Sequence, residues 1–152
     1  HVHTPEIINQ SAESFGSQCI VGAIDALRRP EVEGKQPAWE IYINGGRTAT
    51  GIDALEWVEE LVDRGAGELV LNSIDADGTR QGYDLELNRE VAQRVQVPIV
   101  ASGGAGTMEH IREVLTTGEA SAALAASIFH FQQHSIPEVK DYLAQTGVVV
   151  RL

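Results

Sequence analysis

Cationic residues are scarce in this sequence: 11 Lys and Arg stand against 22 Asp and Glu, giving a formal charge of −11 and a pI near 4.7. A surface of that sign repels nucleic acid and anionic lipid, and no basic run reverses it, so neither is expected as a partner. An anion site built locally from backbone amides survives such a field. Cysteine is reduced to a single residue, Cys19. That excludes an internal disulfide and fits a reducing, cytoplasmic setting, and the surrounding apolar run CIVGAI predicts a buried structural thiol. No apolar stretch nears the roughly 18 residues of a membrane span. The opening HVHTPEII lacks the basic flank and apolar core of an export signal, so a soluble, unexported protein is expected. His1 and His3 read as an appended tail rather than as a weak metal-binding end. With 43% hydrophobic residues and two Trp in 152 positions, the chain is not of disordered composition, and one domain over residues 1–152 is expected.

What is present is a repeating alternation of buried strands and amphipathic helices. Ile7, Ile8, Ala12 and Phe15 share a helical stripe between Pro5 and the stop at Gly16. The run from Gln18 to Ala23, ending in Ile24 and Asp25, predicts a strand buried on both faces. Between about residues 29 and 50 the pattern changes. Trp39, Ile41 and Ile43 alternate with Glu40, Tyr42 and Asn44, which predicts a hairpin inserted in the first strand-to-helix loop. A helix capped by Asp53 and closed by Gly65 follows, then a strand from Glu68 to Leu71, a helix from Asp84 to Val95 and a strand opened by Pro98. Thr107 caps the next helix, which Gly118 stops. Ala120 to Ala126 predicts a tightly packed strand, and a last helix starts at Pro137.

The order is therefore one helix followed by four βα units. Right-handed crossovers make the strands parallel and gather the strand-to-helix loops at one end, where α/β proteins hold phosphorylated ligands. The predicted fold is the (βα)4 half of an eight-stranded TIM barrel, with strand ends near Asp25, Ser73, Ser102 and Ser127. In the loop GGAG, the amides of Gly103 and Gly104 can approach an anion without Cβ obstruction. On that loop alone, phosphate binding and a ligand-free tight turn are equally good readings. Ser127 at the neighbouring strand end tips the balance toward a shared phosphate site. Asp25 is a carboxylate at the end of an apolar strand, suited to acid-base chemistry, with a structural cap or an ion pair to Arg28 or Arg29 as the plainer alternative. Asp75 and Asp77 in DADG do not continue as a calcium loop, so metal binding is not expected there. His130 and His134 have metal-ligand spacing but no third ligand nearby. No Ser, Cys or His arrangement suggests an acyl-transfer nucleophile.

The segments FGSQCIVGAID, TGIDALEWV, RGAGELVLNSIDADGTRQGYDLEL, PIVASGGAGTMEH, ALAASIFHF and GVVVRL together resemble the carboxyl-terminal half of one family, the cyclase subunit of imidazole glycerol phosphate synthase from histidine biosynthesis. The related phosphoribosyl isomerase shares the repeat, but the long hairpin and ASGGAGTMEH with ALAASIFH favour the cyclase. The resemblance implies a lyase that uses ammonia to convert a phosphoribosyl-formimino carboxamide ribotide into imidazole glycerol phosphate and an aminoimidazole ribotide, without cofactor or metal. Asp25 then matches the general acid, one of two catalytic carboxylates; the other belongs to a first strand that has no counterpart in this sequence. Asn72, Ser73 and Ser102 match residues lining the substrate site. Asp77, Gly78, Gly104 and Ser127, with Gly103 and Ala126 beside them, match the surroundings of one substrate phosphate. Glu68 and Ser102 match the path of ammonia from a glutaminase subunit, although the first-half residues completing that path have no counterpart either. A half-barrel leaves open strand edges, which predicts a homodimer, or a tetramer built from it, closing the cylinder. The rival is a phosphosugar-binding or structural half-barrel without turnover.

Overall fold

The computed structural model describes residues 2–151, so His1 lies outside the described residues. Helix α1 (Glu6–Phe15) is stopped by Gly16, whose φ of 84° suits only glycine readily. The expected stripe is only partly used: Ile8 is buried, whereas Ile7 and Phe15 are exposed. The helix leans through Ala12 on the turn at Gly65, where an added Cβ would lie 2.6 Å from the Ala12 methyl.

Strand β1 (Val21–Arg28) begins later and ends later than the sequence suggests. Its start is delayed by a 3-10 turn at Ser17–Cys19. That turn is pressed against Gly67, where a Cβ would sit 2.2 Å from the Ser17 carbonyl oxygen. Cys19 lies in this turn and is exposed, which corrects the expectation of a buried thiol. The strand continues past Asp25 because the hairpin pairs with it. Strands β2 (Trp39–Ile43) and β3 (Thr48–Asp53) run antiparallel, and β2 sets Tyr42 opposite Asp25 and Trp39 opposite Arg28. Burial along β1 alternates instead of covering both faces: Gly22, Ile24 and Ala26 are buried while Val21 and Ala23 are exposed.

The remaining units follow the capping signals. Asp53 accepts from the amides of Leu55 at 2.9 Å and Glu56 at 3.2 Å and opens α2 (Ala54–Asp63). Strand β4 (Glu68–Ser73) leads to α3 (Leu85–Ala92), where Asp84 accepts from the Leu87 amide at 2.9 Å. Strand β5 (Ile99–Ser102) leads to α4 (Met108–Thr116), capped by Thr107. Strand β6 is confined to Ala122–Ala123, far shorter than the predicted Ala120–Ala126, because β5 on one side is its only ladder partner among the described residues. Two helices close the described chain, α5 (Ser127–His130) and α6 (Ile136–Gln145), the latter opened by a capping box between Ser135 and Glu138.

The result is an α/β fold with a mostly parallel six-stranded sheet of order β3-β2-β1-β4-β5-β6, consistent with a partial TIM barrel. β1, β4, β5 and β6 are mutually parallel, and the antiparallel hairpin extends the sheet beyond β1. One face is packed by the helices. Ile24, Leu69 and Leu71 meet Val58, Leu61, Leu87 and Val91 in one apolar cluster, each large side chain adding roughly 1.5–3 kcal/mol by burial. The opposite face is far less covered, with Val21, Ala23 and Leu124 exposed and Val70 and Val100 half-buried. The expected open edge is narrowed at β1, since β2 covers Asp25–Arg28 and, among the described residues, Val21–Ile24 have no partner on that side. No helix among the described residues is long and apolar enough to cross a membrane.

Candidate active site

Asp25, Asn72 and Ser102 stand on one rung of the parallel sheet. The register pairs Asp25 with Asn72 across β1 and β4, and Asn72 with Ser102 across β4 and β5. Directly paired residues on parallel strands point to the same face, and here it is the face turned away from the helices. All three side chains are half-buried. The Ser102 hydroxyl donates to Asn72 Oδ1 at 3.2 Å, and Asn72 Nδ2 donates to Asp25 Oδ1 at 2.9 Å. The alternative of an ion pair between Asp25 and Arg28 or Arg29 is overturned. Arg28 bonds Glu86 at 2.6 Å and lies over the Trp39 ring, while Arg29 pairs with Glu40. Donating that hydrogen bond to Glu86 raises the pKa of Arg28 above its ordinary value.

A cleft of about 310 Å³ opens beside Asp25, with Ala23, Tyr42, Ile43, Asn44 and His3 among its walls. The sequence reading gives Tyr42 no role, yet the antiparallel register puts it directly opposite Asp25. Only the register of the inserted hairpin reveals this, and alternation within WEIYI cannot supply it.

Ser73, next to Asn72, is 1% exposed and faces the helices with Leu69 and Leu71, as a period of two requires. Its contribution to the loop is its carbonyl, which accepts the Asp77 amide at 2.9 Å. Gly103 brings the loops together. A Cβ there would lie 2.8 Å from the Ser73 carbonyl oxygen, 3.2 Å from Asn72 Oδ1 and 3.4 Å from the Asp77 Cα. Gly104 has φ of 101° and faces Gly82 so closely that a Cβ would fall 1.9 Å from the Gly82 carbonyl oxygen. The Gly82 amide in turn donates to the Gly104 carbonyl at 2.8 Å. Both glycines are buried, so packing of the β4–α3 loop over them accounts for their identity. The amides of Gly103 and Gly104 have no backbone acceptor among the described residues.

The other predicted residues lie around this centre. Asp77 and Gly78 are exposed on the β4–α3 loop. Ala126 and Ser127 sit where β6 passes into α5, tied to that loop by the Tyr83 hydroxyl donating to the Leu124 carbonyl at 2.9 Å. Glu68 stands apart, opening β4 at the end remote from Asn72, about 13 Å along the strand at roughly 3.3 Å per residue. His130 ends α5, and the chain leaves helical geometry at Phe131, so His130 and His134 do not share a helix face. Among the described residues no group of at least three His, Cys, Asp or Glu side chains is placed to hold a metal ion.

The profile of the histidine biosynthesis protein family matches residues 1–135. The chain belongs to this family. Among its relatives, the imidazole glycerol phosphate synthase subunit HisF of Thermosynechococcus vestitus is 55% identical over 150 residues, covering 99% of this chain and 53% of that protein. The proteins of the same name from Nostoc sp. and Trichormus variabilis are each 54% identical over 151 residues, covering 99% of this chain and 58% of theirs. The chain thus spans about half the length of the curated relatives it matches.

Proposed function

We propose that this chain is a single-domain (βα)4 half of a cyclase barrel, carrying one phosphate site and one catalytic carboxylate of an ammonia-using lyase of histidine biosynthesis. In this reading Asp25 is the general acid in imidazole ring closure and release of the aminoimidazole ribotide. Asn72 and Ser102 form the floor of the site. Asp77, Gly78, Gly103, Gly104, Ala126 and Ser127 surround one phosphate of the phosphoribosyl-formimino substrate, Ser73 acting through its backbone. Glu68, at the far end of β4, opens the ammonia path from a glutaminase subunit, and Ser102 marks its exit. The observation that carries the reading is the rung Asp25–Asn72–Ser102 beside an open cleft, in a chain related throughout its length to cyclase subunits.

In the cyclase reading a second carboxylate faces Asp25 across the closed cavity. We infer that a second copy provides it, with its Asp25 facing the first across a closed cavity, and that the assembly is a homodimer or a tetramer built from it. Two features support this: the stretch Val21–Ile24 of β1, unpaired on its hairpin side among the described residues, and β6 at one edge of the sheet beside an apolar groove of about 770 Å³ that includes Ala122, Val139 and Val148. The cytoplasm is the compartment in which such a biosynthetic enzyme works.

A second reading, a phosphosugar-binding or structural half-barrel without turnover, draws on the burial of Gly103 and Gly104, which explains those glycines without a ligand. Turnover of the ribotide with free ammonia separates the two. The cyclase reading expects product formation that disappears in Asp25→Asn while phosphate binding persists. Binding without turnover in the parent chain supports the second reading.

A further inference from the structure

The three-residue rung has a polarity that follows from its chemistry. Asn72 Nδ2 donates to Asp25 Oδ1 at 2.9 Å, so the amide nitrogen faces the carboxyl oxygen that accepts it. That leaves Asn72 Oδ1 facing Ser102, whose hydroxyl supplies the proton between them at 3.2 Å. The carboxylate therefore sets the orientation of the amide, the serine hydroxyl holds the amide there by donating to its oxygen, and the amide in turn holds the rotamer of the carboxylate. Each group sits on a different strand, at directly paired positions of a continuous parallel ladder. The backbone consequently fixes the spacing, and neither Arg28 nor Arg29 competes for Asp25. Asp25 Oδ2 receives no protein hydrogen bond among the described residues, and Asp25 borders the cleft.

We propose that Asn72, held in place by Ser102, is a positioning residue for Asp25: it occupies carboxylate oxygen Oδ1 and leaves Oδ2 as the oxygen that exchanges a proton with the ligand. In its catalytic consequence the proposal rests on Asp25 being the general acid, whereas its geometric core does not. A held carboxylate presents one oxygen in one direction. An unheld one samples rotamers that point its proton away from the reacting atom, and positioning errors of that kind lower turnover without weakening binding.

The test uses the full chain in its solution assembly, in two arms. In the first, the side-chain amide signals of Asn72 are followed by NMR through an acid titration. They should move with the ionisation of Asp25, lose that movement in Asp25→Asn, and in Ser102→Ala shift toward the values of a free amide. Signals that stay still, or that move equally in Asp25→Asn, overturn the proposal. In the second arm, Asn72→Val is compared with its near-isostere Asn72→Thr, which restores a hydroxyl donor. The expected result is about a tenfold loss of kcat in Asn72→Val with KM changed less than twofold, and recovery by Asn72→Thr to within about threefold of the parent. A rise in KM at constant kcat would make Asn72 a direct ligand contact and overturn the positioning role. Absence of turnover in the parent chain counts against the proposed function alone, and the NMR arm still decides the inference.

Discussion

The indole nitrogen of Trp39 donates to Asp84 Oδ2 at 2.9 Å, while Oδ1 of the same carboxylate accepts the Leu87 amide at 2.9 Å. One aspartate thus caps α3 and fastens the inserted hairpin to it. Trp39 is fully buried, and Arg28 lies over its ring at 5.2 Å. The hairpin is therefore part of the wall that shapes the cleft beside Asp25.

Asp84→Ala should remove both bonds at once. A lost cap and a lost indole partner, each worth about 1 kcal/mol, predict a destabilisation of about 2 kcal/mol. Asp84→Asn, which keeps the capping oxygen, should cost about half as much. Urea unfolding followed by Trp fluorescence measures both.

Much of this arrangement is readable in the sequence, because the signals involved are local. Asp53, Asp84 and Thr107 stand before apolar stripes and cap α2, α3 and α4. Gly16 and Gly65, both at positive φ, mark the ends of α1 and α2. What fails is whatever depends on a distant partner. The extension of β1 past Asp25 needs β2 to pair with it, and the shortness of β6 follows from its having one neighbour. Cys19 sits in an apolar run yet is exposed, because the turn before β1 is fixed by Gly67 from another loop. At the candidate site, strand ends are legible and facing is not. Asn72 and Ser73 are adjacent in sequence and point to opposite sides of the sheet, and the bond from Asn72 to Asp25 spans 47 positions.

Gly104 and Gly78 should respond differently to alanine. Both have positive φ, but at Gly78 a Cβ meets nothing within 4 Å, whereas at Gly104 it collides with the Gly82 carbonyl at 1.9 Å. Gly78→Ala should cost about 1 kcal/mol, the backbone penalty alone. Gly104→Ala should cost more than about 3 kcal/mol, because the β4–α3 loop has to move. Thermal unfolding of the two variants checks the ranking.

The Tyr83 phenol is 6% exposed, and burial pushes its pKa well above the ordinary value of 10.0. The neutral phenol binds its proton more tightly in the folded state, so its contribution to stability is complete below about pH 10 and is lost as pH rises beyond it toward the folded pKa. Tyr83→Phe should cost about 1 kcal/mol at neutral pH through the lost bond to Leu124. It should also flatten the alkaline fall in stability, read from urea midpoints between neutral pH and pH 11.

Glu109 bonds Arg112 and the Tyr142 hydroxyl, and joins α4 to α6. The hydrogen bonds from Arg112, then Tyr142, lower its pKa from 4.5 to about 2. A lowered carboxylate pKa stabilises the fold above the unfolded value and loses that effect as pH falls toward the folded one. The parent should therefore lose part of its stability between pH 4.5 and about 2, and Glu109→Gln should show a shallower acid limb over the same range. Because the carboxylate is exposed, added salt should weaken the difference.

We propose that the less covered face of the sheet, with Val21–Ile24 of β1 and the edge strand β6, is closed by a second copy of this chain. Sedimentation equilibrium of the purified chain at micromolar concentration tests it directly. The account predicts a mass of two, or four, times 16.4 kDa. A species of 16.4 kDa that melts cooperatively, with no larger assembly across the concentration range, would contradict it.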